Sequence, residues 1–226
     1  DAVTLGADTT LAGTTPTFGS TVTGGGFDLA LNFSGITTIT GANFTGIKNF
    51  TSGNGGTTQL TGAFTTSGSQ TYTDAVSLTG ATTVASSGPQ AISFNNTVDG
   101  AQDLTVNTGA VTTFGAVVGG TTALTSLTTD AGGTTAINGG AMITNGAQTY
   151  DNAVTLGADT VLSSTGGGVT LNDTLNGAQD LTLNTGAGNI VMNGIVGAFT
   201  PLMNLRVANA GTPDAVEHQV VADGQD

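Results

Sequence analysis

The sequence predicts an all-β protein, and within that class a right-handed parallel β-helix (a β-solenoid) of about ten coils. Three observations lead to this prediction: a long internal repeat, short runs that alternate apolar and polar residues, and a composition poor in helix formers. The chain has 226 residues, which is enough for one continuous solenoid.

One repeat, called the long repeat below, spans about a third of the chain. The sequence Gly-Ala-Gln-Asp-Leu-Thr-Val-Asn-Thr-Gly at 100–109 returns at 177–186 with Leu in place of Val, and 27–32 is a diverged copy. Related segments that begin at Asp1, Asp74 and Asn152 divide residues 1–207 into three units, 1–73, 74–151 and 152–207. A nearly fixed long period of this kind indicates a repeat architecture.

Short alternating runs predict the strands within each unit. Ala75–Leu78, Ala91–Phe94, Leu104–Val106 and Ala153–Leu156 each place apolar residues at every second position, which is typical of a strand with one buried face. Gly, Asn, Asp or Ser follows soon after these runs, and these residues tolerate tight turns. We therefore expect short strands joined by frequent corners.

Three tandem β-sandwich domains, one for each unit, are the alternative fold. The coil fits better because no Pro-rich or charged linker separates the units. Aromatic residues make up 5% of the chain and Trp is absent, which leaves little material for three separate sandwich cores.

The repeat pattern stops after Val207. Residues 208–226 contain the only Glu and the only His of the chain, Glu217 and His218. We expect this segment to be a polar C-terminal cap, or a junction that docks a neighbouring subunit or domain.

Charge limits the classes of partner. The chain has two basic residues, Lys48 and Arg206, and fifteen acidic ones, so its formal net charge is −13. Nucleic acid and anionic membrane surfaces are not expected partners, because both bind clustered Lys and Arg. No apolar run is long enough to span a bilayer as a helix, so membrane insertion is not expected either. The chain starts at Asp1, and we expect it to be a processed protein or a fragment of a longer one.

No catalytic, cofactor-binding or metal-binding residues are predicted. His218 has no nucleophile context, and Lys48 and Arg206 are expected to lie far apart along the rod. The aligned residues Asp28, Asp103 and Asp180 would be three or four coils apart, roughly 15–19 Å at about 4.8 Å per coil, too far to share a calcium ion. We expect them to accept hydrogen bonds from turn N–H groups instead.

Thr-Thr pairs raise an ice-binding or carbohydrate-binding alternative. These pairs do not recur at one coil spacing in the sequence, so a single flat threonine face is not expected. Strand propensity together with hydroxyl ladders between neighbouring strands accounts for the threonine content.

The two longest motifs resemble a known family. Gln-Thr-Tyr-x-x-Ala-Val-x-Leu at 70–78 and 148–156, together with the repeat at 100–109 and 177–186, is similar to repeats of the filamentous-haemagglutinin-like group of large secreted bacterial proteins. The resemblance implies a right-handed β-helical shaft, export by a two-partner or autotransporter route, and an extracellular or cell-surface location. It also implies a role in adhesion, aggregation or biofilm matrix.

The expected partners are neighbouring repeats of a longer chain, further copies of the protein, and surface glycans. The group's export-signal domain is not visible in this sequence. An Arg-Gly-Asp motif is also missing, since the only Arg, Arg206, is followed by Val207.

Overall fold

A computed structural model describes residues 2–208, which form a β-solenoid of about ten coils. Every strand pair is parallel, and the one helical element among these residues is the 3-10 turn Gly41–Asn43. The predicted parallel β-helix is confirmed. Tandem sandwiches do not fit, because each strand pairs with the strand one coil further along the chain and runs in the same direction, as Thr57 with Ala75 and Leu181 with Leu205 show.

Twenty-five strands make up the coils of the described residues. In chain order they are β1 (Val3–Thr4), β2 (Thr9–Gly13), β3 (Val22–Thr23), β4 (Leu29–Phe33), β5 (Ile36–Thr40), β6 (Phe44–Thr45), β7 (Phe50–Gly53), β8 (Thr57–Thr66), β9 (Gln70–Tyr72), β10 (Ala75–Ser86), β11 (Ile92–Phe94), β12 (Val98–Asp99), β13 (Asp103–Asn107), β14 (Val111–Phe114), β15 (Ser126–Thr129), β16 (Thr134–Ile137), β17 (Ala141–Thr144), β18 (Gln148–Tyr150), β19 (Ala153–Leu156), β20 (Thr160–Ser164), β21 (Val169–Leu171), β22 (Leu175–Asn176), β23 (Asp180–Asn184), β24 (Ile190–Met192) and β25 (Asn204–Val207).

The strands stack into three faces, which the chain visits in the order I, II, III from coil to coil. Face I contains β1, β3, β6, the second parts of β8 and β10, and then β13, β15, β18, β21 and β24. Face II contains β2, β4, β7, β9, β11, β14, β16, β19 and β22. Face III contains β5, the first parts of β8 and β10, then β12, β17, β20, β23 and β25, with β12 linked to β17 through Val118. Ten coils at about 4.8 Å give a rod about 50 Å long.

The core is a narrow column between the three faces. Side chains alternate inward and outward, as in β13, where Leu104 and Val106 are buried. An aromatic ladder of Phe50, Tyr72, Phe94 and Phe114 lies directly behind face II. Ring centroids of successive members are 5.6, 4.9 and 5.4 Å apart, and the last two pairs are stacked. Tyr72, Phe94 and Phe114 occupy equivalent positions in successive coils, and Phe50 contacts Tyr72 from the other end of its strand, so large rings fill a column that is only a few side chains wide.

The long repeat is out of phase with the coil. The copies at 27–32, 100–109 and 177–186 contribute β4 on face II, β13 on face I and β23 on face III. One repeat therefore passes through eleven strand positions. Because one coil has three such positions, one on each face, the repeat is three and two-thirds coils long. Each unit is therefore shifted by two faces around the rod relative to the previous unit. Equivalent residues of different units lie on different faces and do not stack.

Glycine at two corners is required by close approach between coils. A Cβ atom on Gly133, which has φ +63°, would collide with the carbonyl oxygen of Ala110. A Cβ on Gly56 would collide with the carbonyl oxygen of Gly35. Both are the second glycine of the Gly-Gly-Thr-Thr segments, so this motif is explained by backbone contact at a corner.

The described residues reach only the first residue of the segment predicted as a C-terminal cap. Ala208 still donates its N–H to the carbonyl oxygen of Leu183, at 2.7 Å. Residues 209–226, with Glu217 and His218, lie outside the described residues. Across residues 2–208 no helix has the length and apolar character needed to cross a membrane.

We expect Phe94→Ala to destabilise the protein by about 3–5 kcal/mol, because it removes a fully buried ring between two stacked neighbours and leaves a cavity. Urea unfolding followed by circular dichroism measures the loss. The control is Ser93→Ala, an outward residue of the same strand, which should change stability by about 0.5 kcal/mol or less. Similar losses for the two variants would contradict the packing described here.

Candidate functional site

The structure does not gather the charged residues that sequence reasoning considered for chemistry. Lys48 precedes β7 and lies 3.9 Å from a carboxylate oxygen of Asp28, whereas Arg206 lies in β25, in the last described coil. Asp28, Asp103 and Asp180 are equivalent in the long repeat but lie on, or at the start of, faces II, I and III, so the structure separates them around the rod as well as along it. Among residues 2–208 there is no group of three or more His, Cys, Asp or Glu residues that could hold a metal ion.

Most carboxylates act as hydrogen-bond acceptors at the corners of the coils. Asp28 accepts from the backbone and side-chain N–H groups of Asn49, as the sequence predicted. Asp103 and Asp180 instead accept from side chains of the next coil, those of Ser126 and Asn204. Other acceptors of backbone N–H groups are Asp8, Asp74, Asp99 and Asp159. Their role is to tie one coil to another, since a carboxylate is a strong acceptor for N–H groups at a turn.

One corner carries a ladder of Asn and Asp side chains beside face I. Asn193 Nδ2 donates to Asn172 Oδ1 at 2.7 Å, and Asn172 Nδ2 donates to Asp151 Oδ1 at 2.5 Å. The next position is Asp130, which cannot donate to Asp151 when ionised. Its Oδ1 atom is buried and has no hydrogen-bond partner in the described part of the chain.

The environment of Asp130 favours its protonated form. Burial raises the pKa of Asp130, and the neighbouring charge of Asp151 raises it further, while backbone hydrogen bonds partly oppose both effects. Because the folded state holds this proton more tightly than the unfolded state, the stability that Asp130 contributes is present at low pH and is lost as the pH rises through its raised pKa.

The Gln-Thr-Tyr motif forms a buried clamp inside the rod. Gln70 Nε2 donates to the carbonyl oxygen of Ala85 at 2.7 Å, and Gln70 Oε1 accepts from the Tyr72 hydroxyl at 2.6 Å. Gln148 and Tyr150 repeat this arrangement on face I. Burial raises the pKa of both tyrosines well above the usual value, so their hydroxyl groups stay neutral donors. The motif is therefore explained by satisfied polar groups in the core.

Outward hydroxyl groups form two regular columns. On face I, Thr83, Thr105, Thr128, Thr149 and Thr170 occupy the same register position in five successive coils. On face II, the corresponding column is Thr51, Thr71, Ser93, Thr113, Ala136 and Thr155. These are single columns on two different faces, and Ser93 and Ala136 interrupt the threonines of the second, so they are hydroxyl ladders and not the single flat threonine face that the sequence also did not predict.

The columns were missed because the sequence was aligned on the long repeat, which places equivalent residues on different faces. Aligning the middle residue of each short strand at intervals of one coil would have shown them. Neighbouring hydroxyl groups in a column are separated by the strand spacing, about 4.8 Å.

A shallow groove interrupts face I near the N-terminal end. It has a volume of about 530 Å³ and is lined mainly by glycine, alanine and hydroxyl residues, among them Gly41, Gly46, Thr65 and Ser67. It lies where the short strand β6 gives way to β8, beside the 3-10 turn Gly41–Asn43. No charged residue lines it, and the apolar residues Phe44 and Ile47 line it together with neutral hydroxyl groups.

Comparison of the chain with protein-family models, with curated protein sequences and with solved structures gives no match.

We expect Asp130→Asn to stabilise the protein by about 1 kcal/mol at pH 7, because Asn can donate to Asp151 and extend the ladder. The gain should shrink as the pH falls through the raised pKa of Asp130, because the carboxyl group then binds a proton. Thermal unfolding from pH 4 to pH 8 measures both effects.

The matched control is Asp99→Asn. The Asp99 carboxylate accepts the N–H groups of Thr121 and Thr122 at 2.8 and 2.9 Å, so this change should destabilise the protein. A loss of stability at pH 7 in Asp130→Asn would contradict the ladder interpretation.

Proposed function

We propose that this chain is a structural shaft segment of a secreted or cell-surface bacterial adhesin or fibre, which mediates adhesion, aggregation or biofilm matrix formation. The observation that carries the proposal is an uninterrupted series of parallel coils through residues 2–208, whose first and last described strands keep core-facing residues partly exposed. Such a rod gives reach and can be lengthened by adding coils without changing the rest of the molecule.

Core-facing residues of the first and last described strands are only partly covered. Val3 of β1 pairs with buried Val22 but is itself 45% exposed. At the other end, Leu205 and Val207 of β25 pair with buried Leu181 and Leu183, and each is 37% exposed.

Core-facing residues at an end are suited to cover by a further coil, because exposed strand edges and apolar core positions both favour pairing. Further coils would come from neighbouring repeats of a longer chain or from another copy stacked end to end. The resemblance of the repeat motifs to filamentous-haemagglutinin-like proteins supports the same assignment.

A carbohydrate-binding or ice-binding module is the second candidate. The five-threonine column on face I favours it, because a regular row of hydroxyl groups can meet a regular polar surface. This candidate predicts that the chain alone shows thermal hysteresis or adsorbs to an insoluble polysaccharide, whereas a shaft segment does neither.

The shaft proposal predicts that antibodies against the chain label intact cells of the bacterium that makes it, because the protein lies outside the cell. Deleting its gene should reduce surface attachment or clumping of those cells. Immunofluorescence on intact and permeabilised cells, with a cytoplasmic protein as control, makes the measurement. Labelling that requires permeabilisation would contradict the proposal.

A further inference from the structure

Charge is distributed unevenly around the rod. The six strands from β7 to β19 on face II lie within the five-residue segments 49–53, 69–73, 91–95, 111–115, 134–138 and 153–157. None of these residues is charged. The acidic residues of the same coils lie on the other faces or at the corners, for example Asp99, Asp103, Asp130 and Asp151. The strand segments of face II are therefore uncharged in a molecule with a net charge of −13, and the carboxylates of Asp74, Asp130 and Asp151 lie at the corners that border them.

That surface is made of small side chains. Its central column is the face II hydroxyl column defined above, and the outward neighbours on either side are Gly, Ala, Ser, Thr, Asn and Val. Val111 is 40% exposed, and no aromatic side chain points outward from these six strands. The aromatic ladder lies directly behind the first four of these strands, Phe50 to Phe114, and supports them from the core.

We propose that face II is a lateral interface that pairs with face II of a second copy of this chain. Net charge of one sign opposes association of two copies, and the opposition is weakest where both partners present an uncharged surface. Two sheet faces with small side chains pack closely, about 10 Å apart, and a two-fold axis presents the same residues from both sides.

The area of the surface sets the strength of the pairing. Six strands at about 4.8 Å and five residues at about 3.3 Å give roughly 29 by 17 Å, or roughly 500 Å² per copy and roughly 1,000 Å² in total. Interfaces below about 1,200 Å² are typical of weak, transient association. Each chain therefore pairs weakly, and long shafts adhere side by side because many such contacts act together.

A second copy fits the surface better than a free sugar does. Small-molecule sites are concave and combine apolar or aromatic walls with a few placed polar groups. The six strands of face II present no outward aromatic ring, and neither of the two grooves lined by Phe44 includes a residue of these strands. The inference deepens the proposed shaft function, because it names the surface through which shafts would aggregate.

Sedimentation of the full chain over a wide concentration range tests the proposal. We expect a monomer at low concentration and a reversible dimer at high concentration, strengthened by salt because salt screens the repulsion of the remaining charges. Small-angle scattering should show a pair that keeps the length of one rod, since the copies lie side by side rather than end to end.

Two variants give the matched comparison. Thr71→Glu places one negative charge in the centre of face II, and we expect it to weaken dimerisation by about tenfold or more. Gln59→Glu adds the same charge to an outward residue of face III and keeps the acceptor that Thr38 uses, so it should dimerise like the unmodified chain. Ser93→Glu, in the next strand of face II, is a second variant in case Thr71→Glu does not fold.

Three results would overturn the proposal. One is a chain that stays monomeric at every concentration, whether or not it adsorbs to ice or to an insoluble polysaccharide. Another is equal weakening by Thr71→Glu and Gln59→Glu, which would show a general effect of charge. The third is an end-to-end dimer of twice the rod length. None of them would change the cell-labelling result that tests the shaft function.

Discussion

The structure depends on one constraint: each coil must present its backbone to the next at the spacing of a parallel β-sheet, on three faces in turn. This ladder satisfies the backbone N–H and C=O groups of the strands, and it fixes which residues stack. Inward positions become continuous columns, so Leu, Val, Phe and Tyr fill the narrow interior. Corners bring backbones of adjacent coils close together, and for this reason Gly56 and Gly133 stand where a Cβ atom would collide with a carbonyl oxygen.

Polar side chains also find their hydrogen-bond partners in the coils stacked next to them. Gln70 and Gln148 pair with tyrosine hydroxyl groups inside the rod, and their amide N–H groups donate to backbone carbonyl oxygens. Carboxylates are kept at corners, where N–H groups or side chains of an adjacent coil meet them. Asp130 departs from this pattern because its neighbour in the stack is another carboxylate, Asp151. Elsewhere the charges are spread over faces I and III and the corners, which leaves face II uncharged along six coils.

The fold class could be predicted from the sequence, because two-residue alternation in β13 or β19, broken by glycine and asparagine, has few other physical solutions. The face on which each residue lies could not be predicted from the sequence. The long repeat dominates the sequence, yet it is not a whole number of coils, and successive units are shifted by two faces. Asp28, Asp103 and Asp180 are therefore equivalent in the long repeat but lie on different faces, while Thr128, Thr149 and Thr170 looked scattered and form a column. The geometry of the corners sets the number of residues in each coil, and the alternation of apolar and polar residues in the strands does not predict that number.

Engineered cysteine pairs test the stacking most directly, because the chain contains no cysteine. Thr105 and Thr128 lie side by side on face I, with Cα atoms at about the 4.8 Å strand spacing, within the roughly 4.4–6.8 Å that a disulfide spans. Thr105 and Thr182 are equivalent in the long repeat but lie on faces I and III. Mild oxidation should cross-link the pair Thr105→Cys and Thr128→Cys, and leave the pair Thr105→Cys and Thr182→Cys reduced. Cross-linking of the second pair instead of the first would contradict the coil register and the faces built on it.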